Sequence, residues 1–163
     1  GTYSGDVMET GPVFFTISEV SGWTTGDEAS GRVIKIPNSL ILTNSVANYS
    51  RGLGIIWNEI GFDLLPASNF SKAKSIALKA AEKNSYQFSN QDMKMLQDNS
   101  EEIMFITTVP SVKVQIREGL VKLLIRYPCK FHKRNQTEQN IIESFLSAIK
   151  EQDDIKMFQR QNL

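Results

Sequence analysis

Between Gly5 and Ser50 the chain never sustains a helical repeat, and its β-prone runs are cut off every few residues by glycine, proline or asparagine. That punctuation constrains the fold more than any other feature. Strands this short and closely spaced, with no helix between them, form a small barrel or a half-open antiparallel sheet. Val7 to Glu9 is followed by Gly11-Pro12, a strong break. Val13 to Val20 has high β propensity, with Phe15, Ile17 and Glu19 set against Thr16, Ser18 and Val20. Ser21 to Gly31 reads as a turn-rich connection. Arg32 to Ile36 is the next strand, stopped by Pro37, which cannot donate to a ladder. Leu40 to Thr43 and Val46 to Ser50 read as two further short strands.

The pattern changes near Gly52-Leu53-Gly54. Ile55 to Phe62 is a longer strand, and Pro66 to Asn69 stops it. A helix follows over Phe70 to Asn84, because Phe70, Ala73, Ile76, Ala77 and Ala80 recur at three- and four-residue spacing. Ser68, Asn69 or Ser71 supplies its cap. Asn90 to Asn99 is polar, with Met93 and Leu96 giving a weak helical turn. Three strands are then expected: Glu102 to Val109, Ser111 to Arg117 and Leu120 to Tyr127. A second helix spans Glu138 to Glu151, capped by Thr137, with Ile141, Ile142, Phe145, Leu146 and Ile149 as its buried stripe. The polar stretch from Gln152 onward is expected to fray, apart from Ile155, Met157 and Phe158. The fold class is therefore β plus α+β: a small β-barrel or sheet domain over residues 5–52, an α/β sandwich domain over 53–158 with helices on one sheet face, and a frayed tail over 159–163.

The 163 residues are 40% hydrophobic and 22% charged, ordinary values for a globular chain. Each half alone is small and buries a low fraction of its surface, which favours docking or oligomerisation. The net charge is zero, far from the basic excess of nucleic-acid binders. No run approaches the ~18 apolar residues of a membrane helix. The opening Gly1 to Asp6 lacks the basic-then-apolar pattern of a signal peptide and, without a methionine, reads as the start of a fragment.

No catalytic, cofactor-binding or metal site is expected. Cys129 is the sole cysteine, reads as a buried small hydrophobe, and excludes an internal disulfide. His132, the sole histidine, sits in the basic loop Lys130 to Arg134 and excludes any metal site needing two histidines. A small hydrolase or transferase would have to use one of these two residues. Gly22, Gly26 and Gly31 are irregularly spaced, and Gly52-Leu53-Gly54 lacks the context of a dinucleotide cradle, so all serve turns. Lys113, Arg117, Lys122, Arg126, Lys130, Lys133 and Arg134 make the later strands locally basic. A single-stranded nucleic-acid groove would pair them with stacking aromatics. The alternation puts Tyr127 and Phe131 on other faces, so a solvated sheet face is the reading.

Gly31 to Ser39, which contains Ile36-Pro37-Asn38, followed by Asn48-Tyr49-Ser50-Arg51, resembles the β-domain motif of the small-conductance mechanosensitive channel family. Gly5-Asp6-Val7-Met8-Glu9-Thr10-Gly11 is similar to that family's entry from the pore helix, and Ile17 to Val20 fits its next strand. Phe14-Phe15 stands where the family has a second glycine, and Gly22 to Gly31 replaces a shorter strand. Leu123 to Tyr127 and the element order resemble the family's α/β domain more loosely. The resemblance implies an Sm-like β ring, a homoheptamer, and a cytoplasmic vestibule with side portals for ions and small solutes. It also implies membrane helices preceding Gly5, an intact protein in the inner membrane, no cofactor, no nucleic-acid partner and no enzyme activity. An Sm-like RNA-binding or other ligand-binding module is the alternative.

Overall fold

The structure, a computed structural model, describes residues 3–20, 29–48, 53–98 and 107–158. The chain divides into two compact units, residues 1–48 and 49–163. The first is a meander of β1 (Gly5–Thr10), β2 (Phe14–Val20) and β3 (Ala29–Pro37), all antiparallel in the order β1-β2-β3, followed by the short helix α1 (Ser39–Thr43). Among the described residues the sheet stays open rather than closing as a barrel.

Leu40 to Thr43, expected as a strand, is helical. Pro37 ends the ladder and Asn38 turns the chain, so the Ile41 N–H bonds the Asn38 carbonyl and the Asn44 N–H bonds that of Leu40. A four-residue apolar run has no periodicity to oppose this local closure. Residues 46–48 are likewise not a strand, and residues 49 and 50 of that expectation lie outside the described residues, as does 21–28 of the turn-rich connection.

The second unit runs β4 (Ile55–Leu64), α2 (Phe70–Asn84), α3 (Asn90–Asp98), β5 (Ser111–Arg117), β6 (Leu120–Lys130), a 3₁₀ turn (Phe131–Lys133) and α4 (Arg134–Lys150). Its sheet is antiparallel in the order β4-β6-β5. Glu118 and Gly119 link β5 to β6 with φ of 52° and 76°, the two positive values that a two-residue hairpin turn requires. The strand expected over Glu102 to Val109 is absent at 107–109, and 102–106 lie outside the described residues.

Two helices differ from expectation at their ends. α3 is a full helix because Ser89 and Asp92 form a reciprocal cap: the Ser89 N–H bonds Asp92 Oδ2 at 2.9 Å and the Asp92 N–H bonds Ser89 Oγ at 3.2 Å. The bond from the Ser89 N–H, with those from the Tyr86 and Ser89 hydroxyls, holds the Asp92 carboxyl below the usual carboxylate range. α4 begins at Arg134, so Thr137 lies inside it and caps nothing. The 3₁₀ turn, anchored by the Phe131 N–H on the Gly54 carbonyl at 3.0 Å, leads directly into the helix.

One sheet face carries the core. Ile60, Phe62 and Leu64 of β4 lie opposite Ile125, Leu123 and Val121 of β6, and α2 and α4 cover them. Ala73, Ala77, Ala80 and Ala81 let α2 approach closely, while Ile141, Phe145 and Ile149 fill the space from α4. Each fully buried Leu, Ile or Phe contributes roughly 1.5–3 kcal/mol. Leu146, assigned to the buried stripe of α4 by periodicity, is 40% exposed, and Phe70, in the apolar series of α2, is 48% exposed.

Pro128 sits in the central strand, where a missing N–H would ordinarily break a ladder. The Phe131 N–H bonds the Gly54 carbonyl, just ahead of β4, so alternate residues of β6 bond β4 and Pro128 points the other way. On that side β5 has already ended, at Ser111 opposite Arg126. The Pro128 carbonyl accepts the Tyr86 N–H instead, at 2.9 Å.

The stretch from Gln152 to Phe158 is pinned down rather than frayed. Ile155 is buried, Met157 bridges Leu64, and the Phe158 N–H bonds the Asp63 carbonyl. Asp154 accepts from Asn69 Nδ2 and Lys72 Nζ, each at 3.0 Å, where α2 begins. The Lys72 bond is the main cause that holds the Asp154 carboxyl below its ordinary value. A depressed carboxyl contributes stability above its unfolded pKa of about 3.9 and loses it as pH falls through the folded value. Amide exchange at Asn69 and Phe158 should therefore accelerate selectively below about pH 4. Asp154→Asn should flatten that dependence.

Candidate interaction surface

The first unit buries only three apolar side chains among its described residues, Ile17, Val20 and Ile36. Against them stand ten exposed ones: Tyr3, Val7, Met8, Val13, Phe14, Val33, Leu40, Ile41, Leu42 and Val46. Leu42 is 87% exposed. So many exposed apolar side chains beside so small a core leave the unit short of burial, which favours covering them by association.

The local sequence explains how these residues come to face outward. In β1 the pairing passes from Val7↔Ile17 to Glu9↔Thr16, so Met8 is an extra, bulged residue on an edge strand. Pro37 closes β3 opposite Phe14, and the residue after it acts as a clamp. The Asn38 N–H donates to the Val13 carbonyl at 2.8 Å, and Asn38 Nδ2 donates to the Gly11 carbonyl at 2.9 Å. The Ile36-Pro37-Asn38 motif thus ties the β1–β2 turn to the start of α1, which presents Leu40, Ile41 and Leu42 outward. The sequence signal for this was an apolar run directly after a proline-asparagine stop, with no polar alternation to mark a half-buried strand.

The same sheet holds one buried carboxylate. Glu19 is 5% exposed, accepts from Ser30 Oγ at 2.6 Å and lies 3.5 Å from an Arg32 guanidinium nitrogen. The contacts fasten β2 to the start of β3 where their register shifts between Ser18 and Val20.

The residues considered for chemistry do not converge. Cys129 is buried on the core face of β6, and His132 is exposed in the 3₁₀ turn, its ring edge-on to Phe131 at 5.3 Å. Gly31 and Gly54 occupy positive φ in turns or strand starts, while Gly22, Gly26 and Gly52 lie outside the described residues. Tyr127 is fully buried, and that burial raises its phenol above the ordinary value. Asn58 Nδ2 links it to Glu138, at 2.8 and 2.9 Å, a polar tie between β4, β6 and α4 that periodicity could not reveal. Lys113, Arg117, Lys122, Arg126 and Lys130 do share one face, the side of the sheet away from the helices.

Residues 3–51 match the family described as mechanosensitive ion channel, beta-domain. A search among curated protein sequences yields no match. A crystal structure of Helicobacter pylori MscS in its closed state is similar in fold over 99% of this chain and 54% of that one, with a TM-score of 0.65 and 12% identity. A cryo-electron-microscopy structure of wild-type AtMSL1 is similar over 96% of this chain and 47% of that one, with a TM-score of 0.62 and 14% identity. The chain therefore spans about half the length of these two proteins.

Proposed function

We propose that this chain, whose residues 3–51 are a mechanosensitive-channel β-domain and which has the fold of an MscS-like cytoplasmic region, builds the wall of a vestibule beneath an ion pore. The observation that carries this reading is the mismatch in the first unit, among its described residues, between a three-residue apolar core and ten exposed apolar side chains. A small unit of this kind is stabilised by covering that surface with identical neighbours, and a ring does so without leaving an open end. Seven copies then enclose the path, with their β domains as the collar and their α/β domains as the cage. Ions and small solutes pass between them, and membrane helices elsewhere in the intact protein sense tension. No helix among the described residues is long and apolar enough to cross a bilayer. The chain's role is to shape the path, without catalysis.

The test is the mass of the 163-residue chain in solution across a range of concentrations. A seven-copy species that dissociates on dilution is expected, because association of this kind follows mass action. Ile41→Asp with Leu42→Asp should leave the far-ultraviolet spectrum unchanged and weaken assembly at least tenfold, the effect of losing about 1.4 kcal/mol of apolar burial. A stable two-copy species, insensitive to these substitutions, would rule the cage out.

A further inference from the structure

The open face of the β4-β6-β5 sheet carries five cations against two carboxylates, Glu59 and Asp63. Lys122, Arg126 and Lys130 of β6 and Lys113 and Arg117 of β5 all project from it, because they alternate with the core-facing residues of the same strands. Among the described residues none of the five is in an ion pair; the pairs present are Arg32 with Glu19 and Lys72 with Asp154. Glu59 and Asp63 of β4 lie in register with Arg126 and Lys122, yet neither couple closes. The Arg126 guanidinium instead sits 5.2 Å from the centre of the Trp57 ring. Lys122 lies across Gly61, where a Cβ would come within 2.9 Å of its Cε.

We infer that this face binds a short linear polyphosphate anion. Lys113 is directly opposite Leu124 and therefore diagonal to both Lys122 and Arg126, at backbone separations of about 7–8 Å that these long side chains bridge. Three cations thus border Leu124 in the register, with the Lys122 and Arg126 side chains leaning toward β4 over Gly61 and Trp57. Gln115 and Ser111, opposite Lys122 and Arg126, add hydrogen-bonding groups along β5. Contiguous phosphates meet such a cluster with several charge-assisted bonds at once, whereas a singly charged anion meets one cation at a time. A nucleic-acid strand fits the face less well, since such strands need exposed aromatic platforms. The aromatics against this face already hold cations, Trp57 under Arg126 and Tyr86 with Lys130 5.5 Å from its ring centre, while Tyr127 points into the core.

The experiment titrates the full 163-residue chain with inorganic tripolyphosphate. The chain holds two tryptophans, so Trp23→Phe leaves Trp57 as the sole indole, and its emission reports on the site. A saturable change is expected. Lys113→Gln with Lys122→Gln should weaken it by about tenfold or more, and Lys113→Gln alone should weaken it partially. Lys79→Gln with Lys83→Gln, on α2 across the sheet, should leave it unchanged. No saturable response overturns the proposal, as does an equal loss from the α2 pair, which would mean diffuse attraction. Tighter binding of a single-stranded oligonucleotide of matched charge also overturns it, in favour of a nucleic-acid surface. The readout does not depend on assembly, so it stands or falls separately from the vestibule.

Discussion

Phe145→Ala lowers the unfolding free energy of the second unit by about 3–5 kcal/mol, the cost of a large aromatic deletion in a core that cannot fully collapse. Phe145 is completely buried, its ring 4.5 Å from that of Phe62. The buried residues of helix α2 are all alanines, and alanines have no rotamer with which to fill a void. Set against a typical domain stability of about 5–15 kcal/mol, the loss is a third or more of the total. Its partner in the test is Leu146→Ala. Periodicity in the sequence places both residues on the buried stripe, whereas the structure leaves Leu146 40% exposed. Urea denaturation should show a cost below about 1 kcal/mol for Leu146→Ala. Equal losses for the two would mean that α4 is rotated from the orientation described.

Gly5→Val detaches the beginning of β1. Gly5 pairs with Glu19, and a Cβ at this position would collide with the Ser18 carbonyl oxygen and lie 2.9 Å from the Ser18 carbonyl carbon. Both atoms belong to the backbone, so no side-chain rotation relieves the contact. Either the strand slides, moving Val7 off Ile17, or the pairing is lost from its end together with the bond from the Val20 N–H to the Ser4 carbonyl. Overpacking of this kind costs about 1–3 kcal/mol, which is serious in a unit with so small a core. Amide exchange should show protection disappearing at Val7 and Val20. Retained protection at both would show that the chain reaches β2 by another route.

Much of this was legible in the residues themselves. Alternation at Val112, Val114 and Ile116 located β5, and the three- and four-residue spacing of Ala73, Ile76, Ala77 and Ala80 located α2 with its observed ends. Pro37 and Asn38 marked the end of β3 because their backbone chemistry acts locally. The errors fall where distant contacts decide. Leu40 to Thr43 became a helix because Asn38 bonds back to the β1–β2 turn. α4 starts three residues before Thr137 because Phe131 is anchored to Gly54 across the sheet. The Gln152–Phe158 stretch looked free because its partners, Asp63 to Lys72, are nearly ninety residues away along the chain. The cationic face was visible as a list of residues, but only strand register brings Lys113 between Lys122 and Arg126.

The placement of Pro128 has a consequence for how sheets of this kind stay separate. Past Ser111 the central strand would otherwise offer a bare margin onto which a foreign strand could zip. A ring nitrogen without hydrogen removes one rung there, and Tyr86 occupies the next. Copies of this chain brought close together would then find this stretch of backbone inert, so they meet through chosen side chains instead of fusing into a continuous ribbon.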